Sequence, residues 1–252
     1  MVEPAAYETI GQGYAQRRVP DPRLARCIRS ALGDAATVIN VGAGTGSYEP
    51  GDRTVIAVEP SAVMIQQRRA GTGPAVRGVA ETLPFGNGTF DAALGVLTVH
   101  HWSDLAAGLR ELRRVSRRQV LFGFDPTRQL DLWLTAEYVP ASAAMEASRA
   151  PRIGQLVELL GRLGGDVRVE PVPIPHDCTD GFLGAYWRRP EAYLDPGVRA
   201  SISSIAQLDP ADVEPGIARL EADLRSGAWP ERHQELLALD ELDLGYCLIV
   251  AG

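Results

Sequence analysis

The sequence predicts an α/β fold, a mostly parallel seven-stranded sheet with helices on both faces. Three observations carry that reading. Short β-branched runs, beginning with Thr37-Val-Ile-Asn-Val41 and Thr54-Val-Ile-Ala-Val-Glu59, alternate along the chain with segments of helical periodicity. The first run opens directly into Gly42-Ala43-Gly44-Thr45-Gly46, as a strand does where the backbone must turn sharply beside a ligand. The 252 residues suffice for one sizeable core and leave little room for two full domains.

The elements follow in order. Asp21-Pro22 can cap and begin a helix whose apolar positions, Leu24, Ile28 and Leu32, recur at helical spacing until Gly33 stops it. The strands at 37–41 and 54–59 come next. Pro60-Ser61 starts a helix through Met64 and Ile65 to about residue 69, and 75–79 reads as a third strand. Residues 91–97 form a fourth. Leu105, Leu109, Leu112 and Val115 mark a helix whose other face carries Arg110, Arg113, Arg114 and Arg117, expected to be solvated. Residues 119–124 give a fifth strand. Ile153, Leu156, Val157, Leu160 and Leu163 define another helix ended by Gly164-Gly165, residues 166–174 alternate as an outer strand, and 244–250 close the sheet. Together these describe a single Rossmann-like domain, with a core of about 1–174 and 241–252 and a helical insertion of about 175–240. That insertion, with Phe182, Tyr186, Trp187, Tyr193 and Trp229, is either a cap over a substrate pocket or a packing layer over the sheet edge.

Glycines after the first strand and an acid, Glu59, ending the second together describe a nucleoside site, because a strand-end carboxylate can accept two ribose hydroxyls. Glu59 could instead cap the helix that follows it. A dinucleotide fingerprint spaces its glycines as G-x-G-x-x-G before a helix that holds a pyrophosphate; here the glycines are Gly42, Gly44 and Gly46, and Ser47 stands at the third fingerprint position. Only Ser47 to Arg53 separate them from the next strand, so a pyrophosphate-binding helix has at most one turn.

The chain resembles the class I S-adenosylmethionine-dependent methyltransferases, in particular the small-molecule branch similar to the ubiquinone and menaquinone biosynthesis methyltransferases. Beyond the glycine turn and Glu59, the segments Gly78-Val-Ala-Glu-Thr-Leu-Pro-Phe85 and Thr89-Phe-Asp-Ala-Ala-Leu-Gly-Val-Leu97 resemble the family's third and fourth motifs, and the likeness covers about residues 7–125. It implies S-adenosylmethionine as cofactor, bound by Tyr14, Arg18, Gly42, Ala43, Gly44, Gly46, Glu59, Pro60, Met64, Ala80, Glu81 and Leu97. Two positions depart from the family pattern: Asn40 stands where an acid usually precedes the first glycine, and Val79 where an acid often precedes the Ala-Glu pair. Tyr7, Tyr14, Arg17 and Arg18 lie in a segment that the resemblance folds over the methionine end of the cofactor, where an arginine or tyrosine could bind its carboxylate; Arg17-Arg18 could equally be a surface pair.

Methyl transfer from a sulfonium requires alignment, exclusion of water and, for many acceptors, removal of a proton. Thr98-Val-His-His-Trp102 follows the fourth strand, which makes His100 and His101 the candidate catalytic residues. Adjacent residues on an extended segment face opposite ways, so at most one of the two is expected to reach the substrate, the other being structural.

Composition excludes other chemistries. All 25 basic residues are arginine, which removes Schiff-base, pyridoxal phosphate and phosphate-loop lysine chemistry. A net charge of −7 opposes a nucleic-acid surface and favours a small-molecule acceptor. No metal site is expected, since Asp125 stands alone after the fifth strand and magnesium wants more oxygen ligands. Cys27, Cys178 and Cys247 fit neither a disulfide framework nor a zinc cluster, and no apolar run approaches a membrane span; a cytoplasmic protein, monomeric or homodimeric, is expected. Two rival readings are an NAD(P)-dependent oxidoreductase and a catalytically inert S-adenosylmethionine-binding protein.

Overall fold

The computed structural model describes residues 17–252. Helix α1, Pro22–Ala31, begins at Asp21, whose carboxylate accepts from Arg23 N–H, and buries Leu24, Ile28 and Ala31. Then come strands β1 (Thr37–Val41) and β2 (Thr54–Glu59), helix α2 (Ala62–Gln66), β3 (Ala75–Arg77), β4 (Phe90–Val96), helix α3 (Leu105–Val115) and β5 (Ser116–Phe124). Helices α4 (Pro140–Arg149) and α5 (Ile153–Arg162), strands β6 (Val167–Pro171) and β7 (Ile174–Pro175), and helices α6 (Pro196–Ala200), α7 (Ser203–Ala206), α8 (Pro210–Ser226) and α9 (Ala228–Arg232) lead to β8 (Glu241–Leu242) and β9 (Tyr246–Ala251).

Seven strands form one sheet in the order β3-β2-β1-β4-β5-β9-β6. Strands β1 to β5 run parallel, and β9 inserts antiparallel between β5 and β6. The mostly parallel α/β architecture read from the sequence is therefore present. Strand β1 is buried through Val38 to Val41, as a strand covered by helices on both sides must be.

In line with the short crossover, no helix forms between β1 and β2, and residues 43–53 turn without one. Three local features differ from expectation. The outer strand stops at Pro171 and a separate ribbon of β7 with β8 takes up Ile174, since Pro171 and Pro173 cannot donate to a continuing ladder. Arg114 does not belong to a solvated face: its guanidinium donates to the carbonyls of Leu83 and Phe85 and to Glu111, tying the 83–87 loop to α3. Helix α4 appears where no apolar stripe announced it, burying Ser142, Ala143 and Glu146.

The segment after β7 packs against the sheet through large buried side chains, Trp187, Tyr193 and Trp229. The Trp187 indole N–H donates to Ile174 O and that of Trp133 to Trp187 O. A buried polar network joins this segment to the parallel half of the sheet. Arg18 Nε donates to Asp180 Oδ1 at 2.7 Å and Tyr48 O–H donates to Asp180 Oδ2 at 2.9 Å. Asp180 is fully buried, so removing it strands a cation in a low-dielectric interior. The Asp180→Ala variant is expected to lose about 3 kcal/mol of unfolding free energy in urea titration, and Tyr48→Phe about 1 kcal/mol.

Candidate active site

Strands β1 and β4 are neighbours, and their onward connections leave in opposite directions, to β2 and to β5, so a crevice opens above their carboxyl ends. The chain leaves β1 in left-handed conformations, with φ of 69° at Gly42, 52° at Gly44 and 85° at Gly46. A side chain at Gly42 would stand 1.8 Å from Thr98 Oγ1, and one at Gly46 would meet Thr72 Cγ2 at 2.7 Å. Only glycine fits either position. Within the turn Gly42 and Ala43 both donate to Val58 O, Gly44 donates to Glu59 Oε2 at 2.8 Å, and Gly46 donates to Ala43 O, so these N–H groups are not offered to a ligand. Those four amides are committed within the protein. With no helix following, nothing in the turn resembles a pyrophosphate cradle.

Above the turn lies a cleft of about 270 Å³. Of the residues singled out in the sequence, Arg18, Gly42, Ala43, Gly44, Glu59 and Pro60 line it, as do Met64, Ala80, Glu81, Leu97 and His101. Gly46 does not, and serves packing instead. His100 lies behind it, and Tyr14 is outside the described residues. The cleft adds residues that the sequence did not assign, among them Thr45, Thr98, Trp102 and Ser103.

Glu59 is buried, and its carboxylate is held at the cleft wall by the N–H groups of Gly44 and Ser61. It therefore both orders the start of α2 and faces the cleft. Glu81 lines the cleft too, with Oε1 accepting from Ser103 N, Ser103 Oγ and Asp104 N. Asn40, the departure from the family pattern, sits at the cleft floor and is 1% exposed. Its Nδ2 donates to Glu49 Oε1 at 3.0 Å, and Glu49 is itself neutralised by Arg68 at 2.8 Å. Because a carboxylate only accepts, this bond fixes the amide and leaves Asn40 Oδ1 on the opposite branch without a protein partner. Thr45 Oγ1 and Trp102 Nε1, also at the cleft, are likewise buried without partners. Three orphaned polar atoms around one cleft are what a polar ligand would satisfy.

Strand β4 ends at Val96, and Leu97 takes a left-handed φ of 48°, an unusual conformation for a branched side chain. The chain then enters a single 3-10 turn, Val99–His101, instead of continuing extended. The two imidazoles consequently lie together, ring centroids 3.9 Å apart, and do not point to opposite faces. Burial holds both neutral: His101 is lowered to about 4, with the charges of Arg149 and Arg18 adding, and His100 is pushed well below the usual range by burial and by His101.

Comparison with known proteins agrees with this geometry. A family model described as a methyltransferase domain matches residues 39–124. The crystal structure of a candidate methyltransferase from an antibiotic biosynthesis pathway of Anabaena variabilis is 35% identical, over 93% of this chain and 98% of that one, with a TM-score of 0.87. The chain belongs to the class I S-adenosylmethionine-dependent methyltransferases. The demethylmenaquinone methyltransferase of Mycolicibacterium vanbaalenii is 32% identical over 136 residues, 51% of this chain and 57% of that protein. The malonyl-[acyl-carrier protein] O-methyltransferase of Erwinia pyrifoliae is 37% identical over 98 residues, 36% of this chain and 37% of its own length. The chain thus spans about half or less of these two curated relatives.

As a methyltransferase of this class it uses S-adenosylmethionine, and the residues present fit that group: a glycine turn that a Cβ would block, a strand-end carboxylate, and orphaned acceptors on the floor.

The histidine pair has a consequence for stability. Between pH 6.5 and about 4 the unfolded chain binds a proton at position 101 and the folded chain does not, so stability falls as pH falls through that window. Relative to His101→Phe, the protein is expected to lose up to about 3 kcal/mol between pH 7 and pH 4, read as the difference between their urea midpoints at each pH.

Proposed function

We propose that the protein transfers a methyl group to a small-molecule metabolite, with the cofactor in the cleft above β1 and β4. The observation that carries this reading is the combination of a glycine turn whose Gly42, Ala43, Gly44 and Gly46 amides are taken up within the protein with the buried, unpartnered acceptors Asn40 Oδ1 and Thr45 Oγ1 beneath the cleft. A pyrophosphate would need a run of free amide donors; the ammonium of an amino acid and a ribose diol need acceptors. Relatives named for methylating menaquinone precursors, or placed in antibiotic biosynthesis, support a small metabolite as acceptor.

When bound, S-adenosylmethionine would supply an electrophilic methyl carbon on a sulfonium whose leaving group is a neutral thioether. The residues take up roles around it. Glu59 accepts the ribose hydroxyls, Met64, Pro60, Ala80 and Val79 enclose the purine, and Gly42 to Gly44 allow the close approach. Asn40 Oδ1 accepts from the ammonium of the amino-acid end, oriented by Glu49. Arg18 closes that end, and Leu97 with His101 forms the wall facing the acceptor. His101, and His100 behind it, position the acceptor's nucleophile and take up its proton where one is released. An imidazole that is neutral at pH 7 is in the correct state for both tasks.

Calorimetry tests the cofactor site. S-adenosylhomocysteine is expected to bind saturably and NADH not to bind; the reverse would install the oxidoreductase reading. The Glu59→Gln variant should lose about 2 kcal/mol of affinity for S-adenosylhomocysteine, with its ligand-free melting temperature measured alongside, because Glu59 also holds two backbone amides. Asn40→Leu should weaken S-adenosylhomocysteine about tenfold and leave 5′-methylthioadenosine, which lacks the amino-acid end, unchanged. Equal weakening of both ligands would mean that Asn40 only supports the fold.

A further inference from the structure

Behind the cleft lies a second, smaller chamber of about 40 Å³, and the two share three wall residues, Arg18, Leu97 and His101. The chamber is the space on the far side of the residues that would face the methyl group. Helix α4 and the segment after β7 close it, through Glu146 from the former and Phe182, Leu183 and Ser201 to Ser203 from the latter.

Its wall is aromatic. Phe124, Phe182 and Tyr246 stand around it, Tyr246 lying 5.9 Å from Phe124 and 4.8 Å from Phe182 between ring centroids. Its polar lining includes the buried Arg18, His100, Gln129, Glu146 and Ser201. Arg18 is matched by Asp180 at 2.7 Å, the imidazoles are neutral, and burial raises the Glu146 carboxyl, against a hydrogen bond from Ser204 and the charge of Arg149. Gln129, 1% exposed, lines the chamber, and its Nε2 donates to Leu244 O at 2.9 Å. A backbone carbonyl can only accept, so the amide cannot reverse, and Gln129 Oε1 is left as a buried acceptor without a partner.

We propose that this chamber recognises the acceptor, and that it selects a neutral, planar group carrying an O–H donor, with Gln129 Oε1 accepting that proton in a hydrogen bond and Phe124, Phe182 and Tyr246 enclosing the planar part. The proposal rests on the methyl-transfer reading for its biological meaning, but the selection itself is a binding property. An O–H group satisfies an acceptor that otherwise stays buried and unpaired. An ionised group would lose its hydration on entering, and the Arg18 charge on the shared wall is already matched by Asp180. The size of the chamber limits what enters. A cavity that holds a benzene ring measures about 150 Å³, so at about 40 Å³ this one takes the hydroxyl-bearing edge of a planar group, and the rest lies at the doorway between Leu97 and His101.

The test uses the full chain saturated with S-adenosylhomocysteine and three probes of similar shape: phenol, toluene and benzoate. Ligand-observed NMR titration is expected to give saturable binding for phenol at least tenfold tighter than for toluene, with benzoate weaker still. The Gln129→Met variant, which keeps length and removes the acceptor, should bring phenol down to the level of toluene without changing affinity for S-adenosylhomocysteine. Glu146→Gln, which keeps the side chain's size and polarity, should leave phenol within about twofold, because the hydroxyl is assigned to Gln129. Equal binding of phenol and toluene, preferred binding of benzoate, no saturable phenol binding, or phenol affinity indifferent to Gln129→Met would each overturn the proposal. If Gln129→Met fails to fold, the discrimination among the three probes by the unaltered protein decides alone. Failure of S-adenosylhomocysteine to bind would instead sink the methyl-transfer reading, so the two failures are told apart in one set of titrations.

Discussion

The contact between the turn after β1 and the exit of β4 governs everything at this sheet edge. Gly42 and Thr98 approach so closely that a methyl group at position 42 would overlap the Thr98 hydroxyl, and no rotamer relieves an overlap at 1.8 Å with an already left-handed backbone. Two features go with this approach. It draws the β1 turn down over the sheet, where the Gly42, Ala43 and Gly44 amides are taken up by Val58 O and by Glu59, and the cleft floor presents the side-chain acceptors Asn40 Oδ1 and Thr45 Oγ1. It also accompanies the abrupt exit of β4, through the left-handed Leu97 and a 3-10 turn, which carries His101 and Trp102 to the cleft and sets His100 behind it.

What the sequence disclosed follows from the same physics. The parallel strands were legible because buried strands need unbroken apolar, β-branched runs, and Thr37–Val41 and Thr54–Glu59 have them. Helix α1 was legible from its Asp-Pro cap and α5 from its apolar stripe. Helix α4 was not, because its buried face is Ser142, Ala143 and Glu146, and small or polar residues carry no hydrophobic period. Most residues of the cleft were legible from motif spacing. The pairing of Asn40 with Glu49 and Arg68 was not, since those groups are brought together only by the turns on either side of β2. The histidine geometry was misread because alternation holds only while a strand continues, and this one stops at Val96.

Arg18 shows how the helical segment after β7 and the sheet depend on each other. Its guanidinium borders both the cleft and the chamber behind it, yet its charge is answered by Asp180 from the far segment, with Tyr48 from the β1–β2 connection as a third member. The network is buried, so it is costly to leave incomplete and fixes the segment against the sheet more firmly than apolar packing alone. One wall of the smaller chamber is thereby set by Asp180, 162 positions along the chain from the Arg18 that it holds.

Charge balance then explains why the rim is built of histidines that cannot easily ionise. A sulfonium brings a full positive charge into a crevice of low dielectric, where another cation a few ångströms away would oppose it by several kcal/mol. Arg18 is neutralised by Asp180, Arg68 by Glu49, and His100 and His101 are kept unprotonated by burial and by the arginines near them. Arg18 and Arg68 are thus each answered by an acid, and Glu59 stands at the cleft wall accepting from Gly44 N–H. A protonated imidazole at position 101 would repel the cofactor and could no longer accept a proton from the acceptor. Its depressed titration therefore serves binding and chemistry together, and the stability lost in acid is the physical consequence of keeping it so.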